Sequence, residues 1–152
     1  MGLVLALAPL EQAFGLAQVL VVTLQAVSGA GYLGVPSLDI LGNVIPYIAK
    51  EEEKVEAGTR KLLGSAESVG IRSADLAVSA QCNRVAVEDG HTESVAVKLK
   101  RAATAEQIIT AWAEFRGVPR SCGCPSRRSS RCSTTPHSAA RSGAWTWIAE
   151  PA

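Results

Sequence analysis

A chain of 152 residues falls in the range of a single domain and can bury about two-thirds of the surface its unfolded form exposes. Its 47% hydrophobic and 19% charged residues are those of an ordinary globular protein, which excludes a fibrous or wholly disordered chain. A formal charge of +1 excludes an overall field that would draw in nucleic acid or acidic lipid, so neither is expected as a partner.

The first segment carries Leu3, Leu5, Leu7, Leu10 and Phe14, which predicts a helix apolar nearly all round, suited to an interior or an interface. It has no basic stretch of the kind that opens a signal peptide. Pro9, Glu11 and Gln12 also interrupt it short of the ~20 apolar residues a spanning helix needs. No membrane association is expected, the expected location is cytoplasmic, and the four cysteines are read as reduced thiols. "AQVLVVTLQAV" then predicts a buried strand, rich in β-branched residues, leading into the glycine-rich "SGAGYLG".

Ser37 is placed to cap a short helix through "LDILGN". "KEEEKVEAGTRKLLG" predicts a firmer helix, with acids in its first turn, bases toward its end and Gly64 just beyond it. Two alternating runs, "DLAVSAQCNRVAV" and "ESVAVKLK", predict strands joined through Asp89, Gly90 and His91 as a hairpin or sheet pair. "TAEQIITAWAEFRG" predicts an amphipathic helix with Thr104 as its N-cap, Glu106 in its first turn and Gly117 at its end. From Pro119 onward there is no Leu or Val and no periodicity. Residues 119–152 are therefore expected to be a disordered tail, of the composition that GC-rich DNA yields when read out of frame.

Several side chains carry chemistry. His91 in its turn fits either a solvated residue or a base, and Arg84, seven positions earlier, would reach the same rim if the two strands pair. An arginine fork beside a titratable base is a common grip on an acidic substrate. "SGAG", Ser28 to Gly31, is either a tight turn or a loop whose small residues let a phosphate approach the backbone, and no dinucleotide fingerprint follows it. On spacing alone Glu51 and Lys54 are an ordinary surface pair. Cys122, Cys124, Cys132 and His137 match no common zinc spacing, so no metal is expected, and Arg127, Arg128 and Arg131 read as a solvated tail.

Taken together, "GLVLALAPL", "VVTLQAVSGAGYLGVPSLDILGNVIPYI", "EEEKVE" and "NRVAVEDGHTESVAV" resemble the aspartate-semialdehyde dehydrogenases, in the branch found in archaea and fungi, from Gly2 to about Val118. The resemblance implies an oxidoreductase that uses NADPH to convert L-aspartyl-4-phosphate into aspartate semialdehyde and phosphate through a cysteine thioester. By position, His91 resembles the acid/base histidine, Gln25 the glutamine that orients the covalent intermediate and Arg84 the arginine for the substrate carboxylate. Glu51 and Lys54 resemble the contacts to the substrate amine and phosphate, and Ser28, Gly29, Ala30 and Gly31 the loop beside NADP.

Departures accompany the likeness. The family's Asn-Cys nucleophile precedes the "GLVLALAPL" helix, where this sequence has Met1, and Cys82 lies in a different motif. The nucleotide-binding half and the family's final segment are not recognised, and Leu33, Gly42 and Ala86 stand where the family usually has proline, an acid and proline.

The implied fold is α+β, a mixed sheet flanked by helices. Residues 1–118 form an incomplete catalytic and dimerisation domain expected to give a homodimer, followed by the tail. Two functions are left open: part of the dehydrogenase, inactive alone for want of its nucleophile and nucleotide-binding half, or a non-catalytic dimerisation module.

Overall fold

The computed structural model describes residues 2–117 and the backbone of residues 145–148. In chain order these form α1 (Gly2–Phe14), β1 (Leu16–Gln25), a 3₁₀ turn (Val27–Ala30), α2 (Ser37–Ile40), β2 (Val44–Ile45) and α3 (Glu51–Leu62). There follow β3 (Ser65–Glu67), β4 (Gly70–Arg72), β5 (Ala77–Val85), β6 (Thr92–Leu99), α4 (Ala105–Glu114) and β7 (Trp145–Ile148). Five strands make one mixed sheet in the order β2-β5-β1-β6-β7, and β3 and β4 form a separate antiparallel pair. This is the α+β architecture expected.

The pairing of β5 and β6 departs from expectation. They do not pair with each other: β1 lies between them, parallel to β5 and antiparallel to β6. Alternation along two neighbouring runs identifies strands but not partners. β1 has the longest run of β-branched and leucine residues, and takes both edges.

β1 is also only half buried. Val19, Val21, Thr23 and Gln25 face the helices, while Leu20, Val22 and Leu24 lie 39–45% exposed on the opposite face of the sheet. The helix-covered core gathers Leu3, Leu7 and Leu10 of α1, Leu16, Val19 and Val21 of β1, Leu76, and Val95 of β6. α1 keeps Pro9 within the helix and buried, and turns Leu5 outward, so it is less enclosed than its composition suggests.

Caps explain most of the boundaries. Thr104 opens α4 with a capping box, its hydroxyl accepting from the Gln107 N–H while the Gln107 side chain accepts from the Thr104 N–H. Ser37 is not a cap: it is the first residue of α2, behind Pro36, and no side chain caps that helix. Gly64 follows α3 as expected, but the reason is space. A Cβ there would stand 2.1 Å from the Arg72 carbonyl oxygen, where β4 returns against the helix end.

Within the segment expected to carry no element, Trp145–Ile148 pair as β7 in parallel with β6, from Glu93↔Trp145 to Ala96↔Ile148. A run of Trp, Thr, Trp and Ile has strong strand preference, and β6 would otherwise present an unpaired edge. Cys122, Cys124, Cys132, His137, Arg127, Arg128 and Arg131 lie outside the described residues.

Candidate active site

The helix-covered face of the sheet changes character along β1. Val19 sits between Val78 and Val97, and Val21 between Ala80 and Val95. The next row is Cys82, Thr23 and Glu93, and beyond it Gln25 lies beside Arg84. Two apolar rows thus give way to two polar ones at the end of β1 where the glycine-rich turn begins. Buried polar groups must find partners. Here Gln25 Nε2 donates to Thr23 Oγ1 at 3.3 Å, and Asn83 Nδ2 donates to the Thr23 carbonyl at 3.3 Å.

Arg84 and His91 meet through one residue. Arg84, 6% exposed, donates from Nη1 to the Ala26 carbonyl at 2.8 Å. The Ala26 N–H donates to His91 Nδ1 at 3.4 Å. Ala26 therefore holds the guanidinium with its acceptor and the imidazole with its donor. Because Nδ1 accepts, the neutral ring carries its proton on Nε2.

Gly29 closes the arrangement: a Cβ built there lies 3.0 Å from Arg84 Nη1, His91 Cε1 and His91 Nε2. The 3₁₀ turn is fastened to the segment leading to His91 by Val27 N–H to the Val87 carbonyl at 2.8 Å and Ser28 N–H to the Glu88 carbonyl at 3.2 Å. Sequence spacing placed Arg84 and His91 on one rim by a hairpin. They do share the rim, but through β1 and its turn.

Cys82 is enclosed below this pair, and burial pushes its thiol up. A hydrogen bond with Thr23 works against that shift, and the charges of Glu52, Glu51 and Glu93 add to it. A thiol so held is a poor nucleophile. Glu93 is half-buried, with Oε2 enclosed and unpartnered, and burial raises its carboxyl above the usual range against the pull of His91.

On α3, Glu51 and Lys54 form an ion pair at 3.4 Å, with Lys54 largely exposed. In the turn, the N–H groups of Val27, Ser28, Gly29 and Gly31 are all taken by backbone carbonyls, so "SGAG" does not offer a nest of free donors. What it offers is bare surface: Gly31, at φ 74°, has nothing within 4 Å of where its Cβ would be. Among the described residues no group of three or more His, Cys, Asp or Glu converges as a metal site, and no helix is long and apolar enough to cross a membrane.

The sequence profile described as semialdehyde dehydrogenase, dimerisation domain, matches residues 7–125. The chain belongs to that family. Its relatives include the aspartate-semialdehyde dehydrogenase of Schizosaccharomyces pombe, 49% identical over 127 residues, covering 81% of this chain and 36% of the relative. The same enzyme of Methanothermobacter thermautotrophicus is 45% identical over 122 residues, covering 80% and 35%. The crystal structure of aspartate semialdehyde dehydrogenase with NADP from Candida albicans superposes with a TM-score of 0.70 at 39% identity, over 81% of this chain and 36% of that one. The chain thus spans about a third of the length of these semialdehyde dehydrogenases, and its mixed sheet and flanking helices are the fold of their dimerisation domain.

Sequence reasoning missed Ala26, Thr23 and Glu93. Ala26 acts only through its backbone, so no residue-type signal marks it. Glu93 was legible only as a charged residue near the start of a strand, two positions beyond His91.

Proposed function

We propose that this chain supplies the acid/base and carboxylate-binding part of an aspartate-semialdehyde dehydrogenase site, acting on L-aspartyl-4-phosphate in the cytoplasm. The observation that supports it best is the pair of bonds by which Ala26 holds Arg84 and His91 together. One edge of the Arg84 fork is spent on the Ala26 carbonyl, and its remaining N–H groups are free to take a carboxylate in a planar two-point grip. His91, anchored at Nδ1, presents its Nε2–H to give a proton to the tetrahedral adduct that an attacking thiol forms. Gln25, tied to Thr23, is placed beside Arg84 to orient the acyl group. Glu51 and Lys54 take the substrate amine and phosphate.

NADPH, when bound, supplies the hydride. Ser28, Gly29, Ala30 and Gly31 fit it as a bare surface of close approach and not as a phosphate cradle, because the turn's donors are already used. The thiol nucleophile is not Cys82, which is buried and held protonated.

Assay of phosphate-dependent NADP reduction with aspartate semialdehyde tests this reading. The chain alone should give no turnover. Spliced into the S. pombe relative in place of the 127 residues it matches, it should turn over, and His91→Asn should lower kcat while Arg84→Lys raises KM at least about tenfold. Turnover unaffected by either substitution overturns the assignment.

A second reading, a non-catalytic dimerisation module, is favoured by the open apolar face of Leu20, Val22 and Leu24. The two are compatible in a homodimer formed through that face. Sedimentation should show a dimer that Val22→Glu dissociates without unfolding, and a monomeric wild-type chain would refute it.

A further inference from the structure

The outer edge of β5 is closed by side chains where a strand is missing. N–H groups along a strand alternate between its two edges, so one set on β5 serves β1 and the other points away. β2 covers only the far end of that outer edge, pairing with Arg84 and Val85. Behind it the Ala80 N–H donates to Glu56 Oε1, and the Cys82 N–H donates to Glu52 Oε1, each at 3.1 Å. The spacing is geometrically matched: four helical residues rise about 6 Å and two strand residues about 6.6 Å, so carboxylates at i and i+4 meet alternate N–H groups.

The order is inverted, Glu52 with Cys82 and Glu56 with Ala80, so α3 runs antiparallel to β5. Its first turn is thereby tied two residues from Arg84. That first turn carries Glu51 and Lys54, and Glu51 lies close enough to Cys82 to act on its thiol by charge.

We infer that Glu52 and Glu56 are positioning residues, a two-carboxylate clasp that fixes the rotation and register of α3 on β5 and so sets Glu51 and Lys54 against Arg84. The inference deepens the reading of Glu51 and Lys54 as substrate contacts and rests on it for its functional half. Four acidic residues in one helix turn and a half look like a solvated face, yet two of them are structural acceptors. Neither needs its charge: a glutamine oxygen accepts the same N–H.

Amide exchange by NMR on the full chain tests the clasp directly. Glu52→Ala should speed exchange at Cys82 about tenfold and Glu56→Ala should do so at Ala80, each glutamine variant staying within about threefold of wild type. Unchanged rates in the alanine variants overturn the clasp. Positioning has its own readout: residual dipolar couplings should show α3 rotated on β5 in the double alanine variant and restored in the double glutamine variant. An unrotated helix overturns the positioning role.

Titration with inorganic phosphate, followed at the Arg84 and Lys54 side chains, carries the functional half. The double alanine variant should bind about tenfold more weakly than the double glutamine variant, although both have lost the same two negative charges and electrostatics alone predicts equal gains. Equal binding overturns the functional half. A wild-type chain that ignores phosphate instead refutes the reading of Lys54 as a phosphate contact, with the exchange rates still deciding the clasp.

Discussion

Gly29→Ala isolates the geometry that joins Arg84 to His91. The new methyl carbon would stand 3.0 Å from Arg84 Nη1 and from Cε1 and Nε2 of His91, tighter than ordinary van der Waals contact. Gly29, unlike Gly31, does not have a positive φ, so the substitution adds no backbone strain and acts by crowding alone. The crowded atoms are the ends of two flexible side chains. The stability cost therefore falls at the low end for overpacking, about 1 kcal/mol. Of the two bonds at Ala26, the one to Arg84 is 2.8 Å and buried, and the one to His91 is 3.4 Å on an exposed residue, so the imidazole yields first.

Urea denaturation of the variant measures the cost, and the nitrogen shifts of the imidazole report whether Nδ1 still accepts. In the spliced protein described above, a displacement approaching 1 Å should lower turnover about a hundredfold. Gly31→Ala is the control: open space surrounds that position but φ is 74° with ψ −169°, a conformation that suits glycine alone, so it should cost about 1–3 kcal/mol through the backbone and leave the imidazole untouched. A Gly29→Ala protein with unchanged imidazole shifts and full turnover, or one destabilised by more than about 3 kcal/mol, would refute the reasoning.

Glu93→Gln should stabilise the chain at pH 7 by less than about 1 kcal/mol, because it removes the charge that burial penalises while an amide atom still occupies the enclosed, unpartnered position. Its folded-state value is raised, so the charged form opposes folding at higher pH. The gain should shrink as pH falls through the raised value and vanish below the ordinary carboxylate range; a gain that grows on acidification contradicts this. Gly64→Ala should destabilise by about 3 kcal/mol in thermal melts, since the methyl meets the Arg72 carbonyl and not a movable side chain, and a loss within experimental error would mean the β3–β4 pair is not held against α3. Cys82 should react with iodoacetamide only as fast as the chain unfolds, followed by mass spectrometry of its peptide; rapid labelling in native buffer would show an accessible thiolate.

Local signals were legible in the sequence, and non-local ones were not. Thr104 at the head of α4 and the acids at the head of α3 mark helix starts through contacts within four residues, and both helices begin where those residues predict. The partners of β1 depend on pairings across the whole chain, and period-2 alternation in β5 and β6 is equally consistent with a hairpin. The site divides the same way. Arg84 and His91 announce themselves by residue type, whereas the backbone groups that bind them belong to an alanine. Glu52 and Glu56 resemble any exposed acids until β5 is placed beside them. Gly29 was marked as a small residue of a cofactor loop, while its neighbours in space are the guanidinium and the imidazole.

The central place of β1 in the sheet has a consequence for synthesis. In synthesis the strand precedes the start of its parallel partner by roughly sixty residues and that of its antiparallel partner by more, so both of its edges stay unpaired until β5 and β6 are made. During that interval "LVVTL" is an uncharged, β-prone segment without proline, the kind that pairs with copies of itself. Slowing elongation ahead of β5 should therefore raise the insoluble fraction, and an early chaperone should engage the nascent chain at β1.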